Sequence, residues 1–233
     1  MLDAIVNLKN VCFSWDNSGR KLLNLPEFVV ERHEHVFLKG PSGSGKSTLL
    51  ALVGGILVAE SGKLEILGKE IKHLSSSARD SFRVNHIGFI FQLFNLLPYL
   101  SIEENVMLPL KFSKIRAERA GETKVEKYLE AQRLLKALEL DEPLANRSPV
   151  TELSVGQQQR VAVARALIGS PELVIADEPT SALDSDLRHS FLKLLFNECK
   201  KADTTLLFVS HDSNLGSLFK KEYSMNEINK NNN

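Results

Sequence analysis

Residues 35–48 read HVFLKGPSGSGKST, and few strings of this length restrict a fold more. The apolar run HVFLK has the composition of a buried strand, TLLALV has that of a helix, and a glycine-rich turn separates them. A strand delivered into a helix by so short a turn marks an α/β core. The turn itself, Gly40 to Ser47, fits the pattern G-x-x-x-x-G-K-[ST] and stands in the strand-to-helix context that the pattern needs. Gly40, Gly43 and Gly45, with Pro41, Ser42 and Ser44 between them, let successive backbone N–H groups turn inward where the helix dipole adds positive potential. Such a cradle suits phosphates: Lys46 would reach the β- and γ-phosphates, the Ser47 hydroxyl would hold Mg²⁺, and Thr48 opens the helix. A glycine-rich loop that fits by chance is the plain alternative, and the flanks weigh against it.

A second run, LVIADEP (residues 173–179), is an apolar strand ending in two acids, which places carboxylates at the C-terminal edge of a parallel sheet, where ligands bind. Asp177 would hold the Mg²⁺ shell through water, and Glu178 would orient or deprotonate an attacking water. Acids at a strand end can merely cap the next turn, but a phosphate loop in the same chain makes that reading the weaker one. Together the two elements imply a nucleoside triphosphatase.

Around them, short β-like runs fill the first forty residues (IVNLKNVCF, PEFVV), KLEIL and HIGFIF follow the loop, and from Ser101 the pattern turns helical. Val125, Tyr128, Leu129, Leu135 and Leu138 recur at helical spacing and predict an amphipathic helix. Pro143 and Pro149 punctuate a loop before LSVGQQQRVAVARALIGSP, which reads as a helix stopped at Gly169 and Pro171. After LVIAD, a helix from Asp184 to Lys200 and the strand TTLLFVSHD lead to an asparagine-rich end that reads as disordered.

Lys plus Arg equals Asp plus Glu at 29 each, so no overall basic field favours nucleic acid. Cys12 and Cys199 lie in no metal-like spacing and suit a reducing compartment. The N-terminus lacks the pattern of a signal peptide, and the most apolar stretch, LLALVGGILVA, is too short to span a bilayer. The expectation is a protein that is not exported. His33 and His35 flank Glu34 without a third metal ligand nearby, so a solvated turn is expected there. The basic run from Lys111 to Arg119 reads as a solvated helix face, with phospholipid headgroups as the sharper alternative.

In LSVGQQQR (residues 153–160), Ser154 and Gln157 form an S-x-x-Q capping box at a helix start, with N–H groups free to bind an anion. A chain that already has a phosphate loop gains little from a second anion site of its own.

LSVGQQQR, Gln92 in GFIFQ, SALD (Ser181 to Asp184) and VSHD around His211 occur in an order and spacing that resemble the ATP-binding cassette ATPases, from about residue 5 to about residue 212. The resemblance implies a P-loop α/β core with an antiparallel β subdomain and an inserted α-helical subdomain. The whole of 1–233 would be one cassette: about 1–92 and 166–222 core and β subdomain, about 93–165 the helical subdomain with the signature segment, and 223–233 a flexible tail. It also implies ATP and Mg²⁺ as ligands and a head-to-tail pair of identical subunits. In such a pair Ser154, Gly156 and Gln157 face the partner's ATP, Gln92 contacts Mg²⁺ or the attacking water, Asp184 couples the two sites, and His211 holds the γ-phosphate. Trp15 stands where the family places an aromatic on adenine, with Phe13 as its nearest competitor. This chain departs from the family at Val155, where glycine is usual, and near His33.

With no spanning helix, the resemblance implies a separate integral membrane permease and a place at the cytoplasmic face of the inner membrane. Residues 91–110 (FQLFNLLPYLSIEENVMLPL), with Phe94, Leu96, Leu97 and Tyr99, would help receive it, or pack the subdomain core. Their wording looks most like the lipoprotein-releasing and macrolide-export group, so export or mechanotransmission is expected first and an importer second. A soluble cassette acting on DNA or ribosomes is disfavoured by the single cassette and the zero net charge.

Overall fold

The computed structural model describes residues 4–15, 21–140, 150–181 and 183–231. Its strands are β1 (Ala4–Phe13), β2 (Leu23–Glu31), β3 (His35–Lys39), β4 (Ser61–Ile66), β5 (Lys69–Glu70), β6 (Ile87–Ile90), β7 (Leu173–Asp177), β8 (Thr205–Ser210) and β9 (Lys221–Ser224). Its helices are α1 (Lys46–Val53), α2 (Ser76–His86), α3 (Ile102–Met107), α4 (Lys114–Ala120), α5 (Lys124–Ala137), α6 (Val155–Leu167), α7 (Ser185–Lys201) and α8 (Met225–Ile228). The chain divides into one compact unit of Met1–Arg83 with Thr205–Asn233 and another of Val84–Thr204.

The first unit holds an antiparallel sheet in the order β2-β1-β4-β5. Leu8, Val11, Leu23, Leu25, Phe28 and Val30 from its strands are fully buried. Beside it, β3 pairs in parallel with β8 and with β9. Val36, Phe37 and Leu38 are all fully buried, as befits a parallel strand covered on both faces. Phe37, Phe208 and Phe219 form an aromatic cluster with centroids 5.2–6.1 Å apart. That cluster anchors β3, and β3 delivers the phosphate loop.

The end of the chain is a correction to the expected tail. Residues 221–224 form β9, α8 follows, and Asn229 is buried. The Asn229 side chain accepts from Asn24 N (2.9 Å) and donates to Leu22 O (3.0 Å), while Lys230 N donates to Asn24 O (2.9 Å). Asparagine-rich sequence reads as solvated because its residues lack apolar surface, but an amide side chain can also pair an exposed strand edge, as this one does.

In the second unit β6 and β7 pair in parallel, from Ile87 with Leu173 to Ile90 with Ala176. Three of its helices start on reciprocal caps: Ser101 with Glu104, Thr123 with Glu126, and Ser154 with Gln157. Helix α5 forms where expected and buries Leu135 and Leu138 of the expected stripe, but not its first residues. Ala131, Leu134, Leu135 and Leu138 are buried, while Val125 and Leu129 are 68% and 56% exposed. The expected stripe follows the largest apolar residues, and in place of Val125 and Leu129 the core takes Leu134 and the small Ala131.

The basic run at Lys111 to Arg119 also differs from a solvated face. Arg116 is 2% exposed and donates from Nη2 to Ala166 O (2.8 Å) and from Nε and Nη2 to Ile168 O (2.8 and 2.5 Å), capping the C-terminal end of α6. Burial lowers its pKa only to about 10, so the guanidinium stays charged at neutral pH. Arg119 bonds to Ser170 O and, at 2.7 Å, to Glu172.

Candidate functional site

In the first unit, β3 ends at Lys39, and the loop Gly40–Gly45 turns the chain into α1. Gly43 and Gly45 adopt φ of +80° and +95°, which L side chains rarely take. Gly40 is needed for closeness instead: a Cβ there would lie 2.8 Å from Ser44 Oγ and 2.9 Å from Met225 Cβ. Gly45 caps α1 with no side-chain hydrogen bond, and the first turn carries no acid, so its N–H groups remain available to an anion. Lys46 lies along the loop and donates to Gly40 O (2.6 Å) and Pro41 O (3.0 Å). Ser44 Oγ is buried without a hydrogen-bond partner among the described residues. A left-handed loop, an orphaned hydroxyl, an ammonium and an uncapped helix start together fit a polyphosphate. Ser47 is exposed one position further on.

Two more expected residues belong to this unit. His211 follows β8 and is exposed, and the Asp212 side chain beside it accepts from Asn214 N at 3.1 Å. Trp15 is 67% exposed and stands edge-on to Phe13, ring centroids 5.3 Å apart. Phe13 is itself buried in the sheet, so of the two rings only that of Trp15 presents area to a ligand. His33 takes a left-handed conformation (φ +61°), and its N–H donates to Thr205 Oγ1 at 2.9 Å. The backbone there has the geometry glycine favours, adopted by a histidine. Among the described residues no group of three or more His, Cys, Asp or Glu could hold a metal ion by itself.

The second unit carries the remaining residues. Strand β7 ends at Asp177, and Glu178 follows, 9% exposed and left-handed at φ +48°. Such a backbone costs a non-glycine residue ~1–2 kcal/mol, so neighbouring bonds must hold it. Ser181 N donates to Glu178 O (3.2 Å), and the buried Gln159 side chain donates to Pro179 O (2.5 Å). Gln92 lies exposed just past β6. Behind it Phe94 and Asn95 are left-handed at φ +57° and +51°, and the Arg165 guanidinium donates to both their carbonyls. Of the expected docking residues, Phe94 is buried and Tyr99 is 78% exposed.

The signature segment forms the start of α6. Gln157 N donates to Ser154 Oγ (3.3 Å), and Ser154 N donates to Gln157 Oε1 (2.8 Å), the expected capping box. Val155 takes the first helical position at negative φ and is 47% exposed. A β-branched residue is therefore accommodated there. Gly156 also has negative φ, and a Cβ on it would meet only Leu183 Cδ2 at 3.8 Å. Asp184 is exposed and caps α7 without a side-chain hydrogen bond, while Ala182 of the SALD run and the prolines at 143 and 149 lie outside the described residues.

Gln159 and Arg165 were not singled out from sequence. A signal existed: Gln159, Ala162, Val163 and Ala166 recur at helical spacing and are all buried, so Gln159 sits on the inward stripe of α6.

A phosphate loop leading from a parallel strand into a helix, and an acid pair closing another strand of a parallel pair, define a P-loop nucleoside triphosphatase. A family model described as ABC transporter matches residues 23–181. The chain is 37% identical over 213 residues to the lipoprotein-releasing system ATP-binding protein LolD of Porphyromonas gingivalis, covering 91% of this chain and 92% of that one. It is 41% identical over 188 residues to the macrolide export ATP-binding/permease protein MacB of Mannheimia succiniciproducens, covering 81% of this chain and 28% of that one. Among solved structures, the dimeric post-hydrolysis state of the ATP-binding cassette MJ0796, bound to ADP and Pi, superposes with a TM-score of 0.81 at 36% identity, covering 94% and 93% of the two chains. The chain belongs to the ABC transporter family, and is an ATP-hydrolysing, ATP-binding subunit of that family.

Proposed function

We propose that this chain is the motor of an export or mechanotransmission transporter, closing as a pair of identical subunits on ATP to drive a separate membrane permease. The observation that carries the reading is Gly156. Glycine in a helix costs ~1 kcal/mol relative to alanine, and nothing among the described residues requires it, since φ is negative and a Cβ would have ordinary room. Its use lies in what approaches from outside. Beside it Ser154 is exposed at a helix start, which suits a phosphate of a second copy.

Within that reading, the loop from Gly40 to Thr48 binds the triphosphate of ATP, Lys46 neutralising its charge and the Ser44 hydroxyl donating to it. Trp15 stacks on adenine. Ser47, Gln92 and Asp177 are of the donor types that hold Mg²⁺, which when bound offsets phosphate charge. Glu178 accepts a proton from the attacking water, His211 holds the γ-phosphate, and Asp184 with Ser154, Gly156 and Gln157 belongs to the face that meets the partner. Hydrolysis then removes the contact that favours closure, and the pair reopens.

Among the described residues no helix is long and apolar enough to cross a membrane, and on this reading the spanning part is the permease. The similarity to chains named for lipoprotein release and macrolide export favours that class of permease over an importer, and a peripheral place on the cytoplasmic face of the membrane. The mass in solution of the Glu178→Gln variant with ATP and Mg²⁺ tests the pair: a doubled mass is expected, and a strict monomer at high concentration removes the proposal. Affinity capture of that variant from detergent-solubilised membranes is expected to bring down an integral membrane protein in stoichiometric amount.

A further inference from the structure

We propose that Gln159 is a positioning residue for hydrolysis, and that α6 acts as one bar joining the partner-facing segment to the hydrolytic loops of its own subunit. The proposal rests on the reading of Glu178 as the proton acceptor. Along a single helix of 13 residues the structure places one outward-facing segment and two anchoring contacts. Its first turn presents Ser154 and Gly156 outward. One turn further in, Gln159 is 1% exposed, and its Nε2 donates to Pro179 O at 2.5 Å, the carbonyl immediately after Glu178. Near its end, Arg165 is 8% exposed and donates to the carbonyls of Phe94 and Asn95, two and three residues after Gln92.

Both anchored loops are conformationally costly. Glu178, Phe94 and Asn95 all have positive φ, and Glu178 also precedes a proline, which disfavours helical backbone at that residue. Backbone of this kind persists only where surrounding bonds over-determine it. The carbonyl of Pro179 and those of Phe94 and Asn95 receive that support from α6. The far end of α6 is fixed in turn by Arg116, which bonds to the carbonyls of Ala166 and Ile168. A displacement of Ser154 and Gly156 on engaging a second subunit is therefore delivered along α6 to the turn that aims the Glu178 carboxylate. Gln159, 1% exposed and bonded to Pro179 O, acts only through that turn.

Gln159→Met keeps the volume and removes the donor. The expected result is a kcat for ATP lower by about 10- to 100-fold, the range a misplacement of order 1 Å produces, with unchanged KM and nucleotide Kd and a modestly lowered melting temperature, because Pro179 O loses its donor. The ATP-dependent dimer should persist. Arg165→Met should instead raise the Mg²⁺ concentration for half-maximal rate, by about 10-fold. Wild-type kcat in Gln159→Met overturns the proposal, as does a fall that tracks a lost fold. If Gln159→Met fails to fold, Gln159→Ala is measured with the same criteria. Glu178→Gln is run beside it: lost turnover there with full turnover in Gln159→Met overturns positioning alone, whereas full turnover in Glu178→Gln overturns the proton-acceptor assignment and with it the reason for positioning.

Discussion

The chain carries two helix starts built around glycine, and they are built in opposite ways. At α1 the glycines answer to their own chain: Gly43 and Gly45 need positive φ, and Gly40 and Gly45 are crowded by Met225 and Leu23. The helix there is left uncapped, its N–H groups open. At α6 the cap is complete, Ser154 and Gln157 bonding each other's backbone, and Gly156 has room for a methyl group. One start takes backbone that only glycine adopts readily and has no side-chain cap. The other is locally content, and its glycine makes sense only for a visitor. On the proposed reading, the difference separates a site that a subunit owns from one that it lends.

The largest effect expected of any test is at Glu178, where Glu178→Gln should lower kcat by about 100-fold or more while sparing ATP binding, read by steady-state hydrolysis beside equilibrium binding. Next, Gly45→Ala should both destabilise and abolish high-affinity binding. The new Cβ falls 2.6 Å from Leu23 Cδ2 at a left-handed residue, and the backbone alone costs ~1–2 kcal/mol, visible in a melting curve. Gly156→Ala should do the reverse to stability, raising it by about 0.5–1 kcal/mol, while weakening the ATP-dependent dimer in the Glu178→Gln background. A drop in both, or a dimer of unchanged affinity, would erase the distinction between the two starts.

The smallest expected effect is in acid. Burial works to raise the Glu172 pKa, but hydrogen bonds from His86 and Arg119 overcome it and bring the value down to about 2. A carboxylate depressed in the folded state stabilises above its unfolded value near 4.5 and loses that contribution as pH falls towards 2. Glu172→Gln should therefore lower the melting temperature at neutral pH and converge on the wild type in acid. Because Glu172 lies in the second unit, Gly45→Ala should leave the shape of that pH profile unchanged.

The elements legible in sequence were those whose signal is local. The strand runs, the turn at Gly40–Ser47, the acid pair and the capping box all depend on residues within a few positions of one another. Which residues of a helix face inward was less legible. On α5 the large Val125 and Leu129 drew the expected stripe outward of the real one. On α6 three adjacent glutamines look alike, yet only Gln159 is buried. Charge misled in a similar way at Arg116, because its partners are carbonyls with no sequence signature.

By itself the sequence determined the nucleotide-binding class of this protein and where each motif would fall on a strand end or helix start. Such features form from short-range backbone preference, which neighbouring residues set. The tertiary structure decided the support. Arg165 meets Asn95 across 70 residues of chain, Arg116 meets Ile168 across 52, and Asn229 meets Asn24 across 205. A hydrogen bond between groups so far apart has no local pattern. It exists because folding brought a carbonyl or amide into a place partly or wholly shielded from water, where leaving it unpaired costs more than ordering a long side chain to reach it.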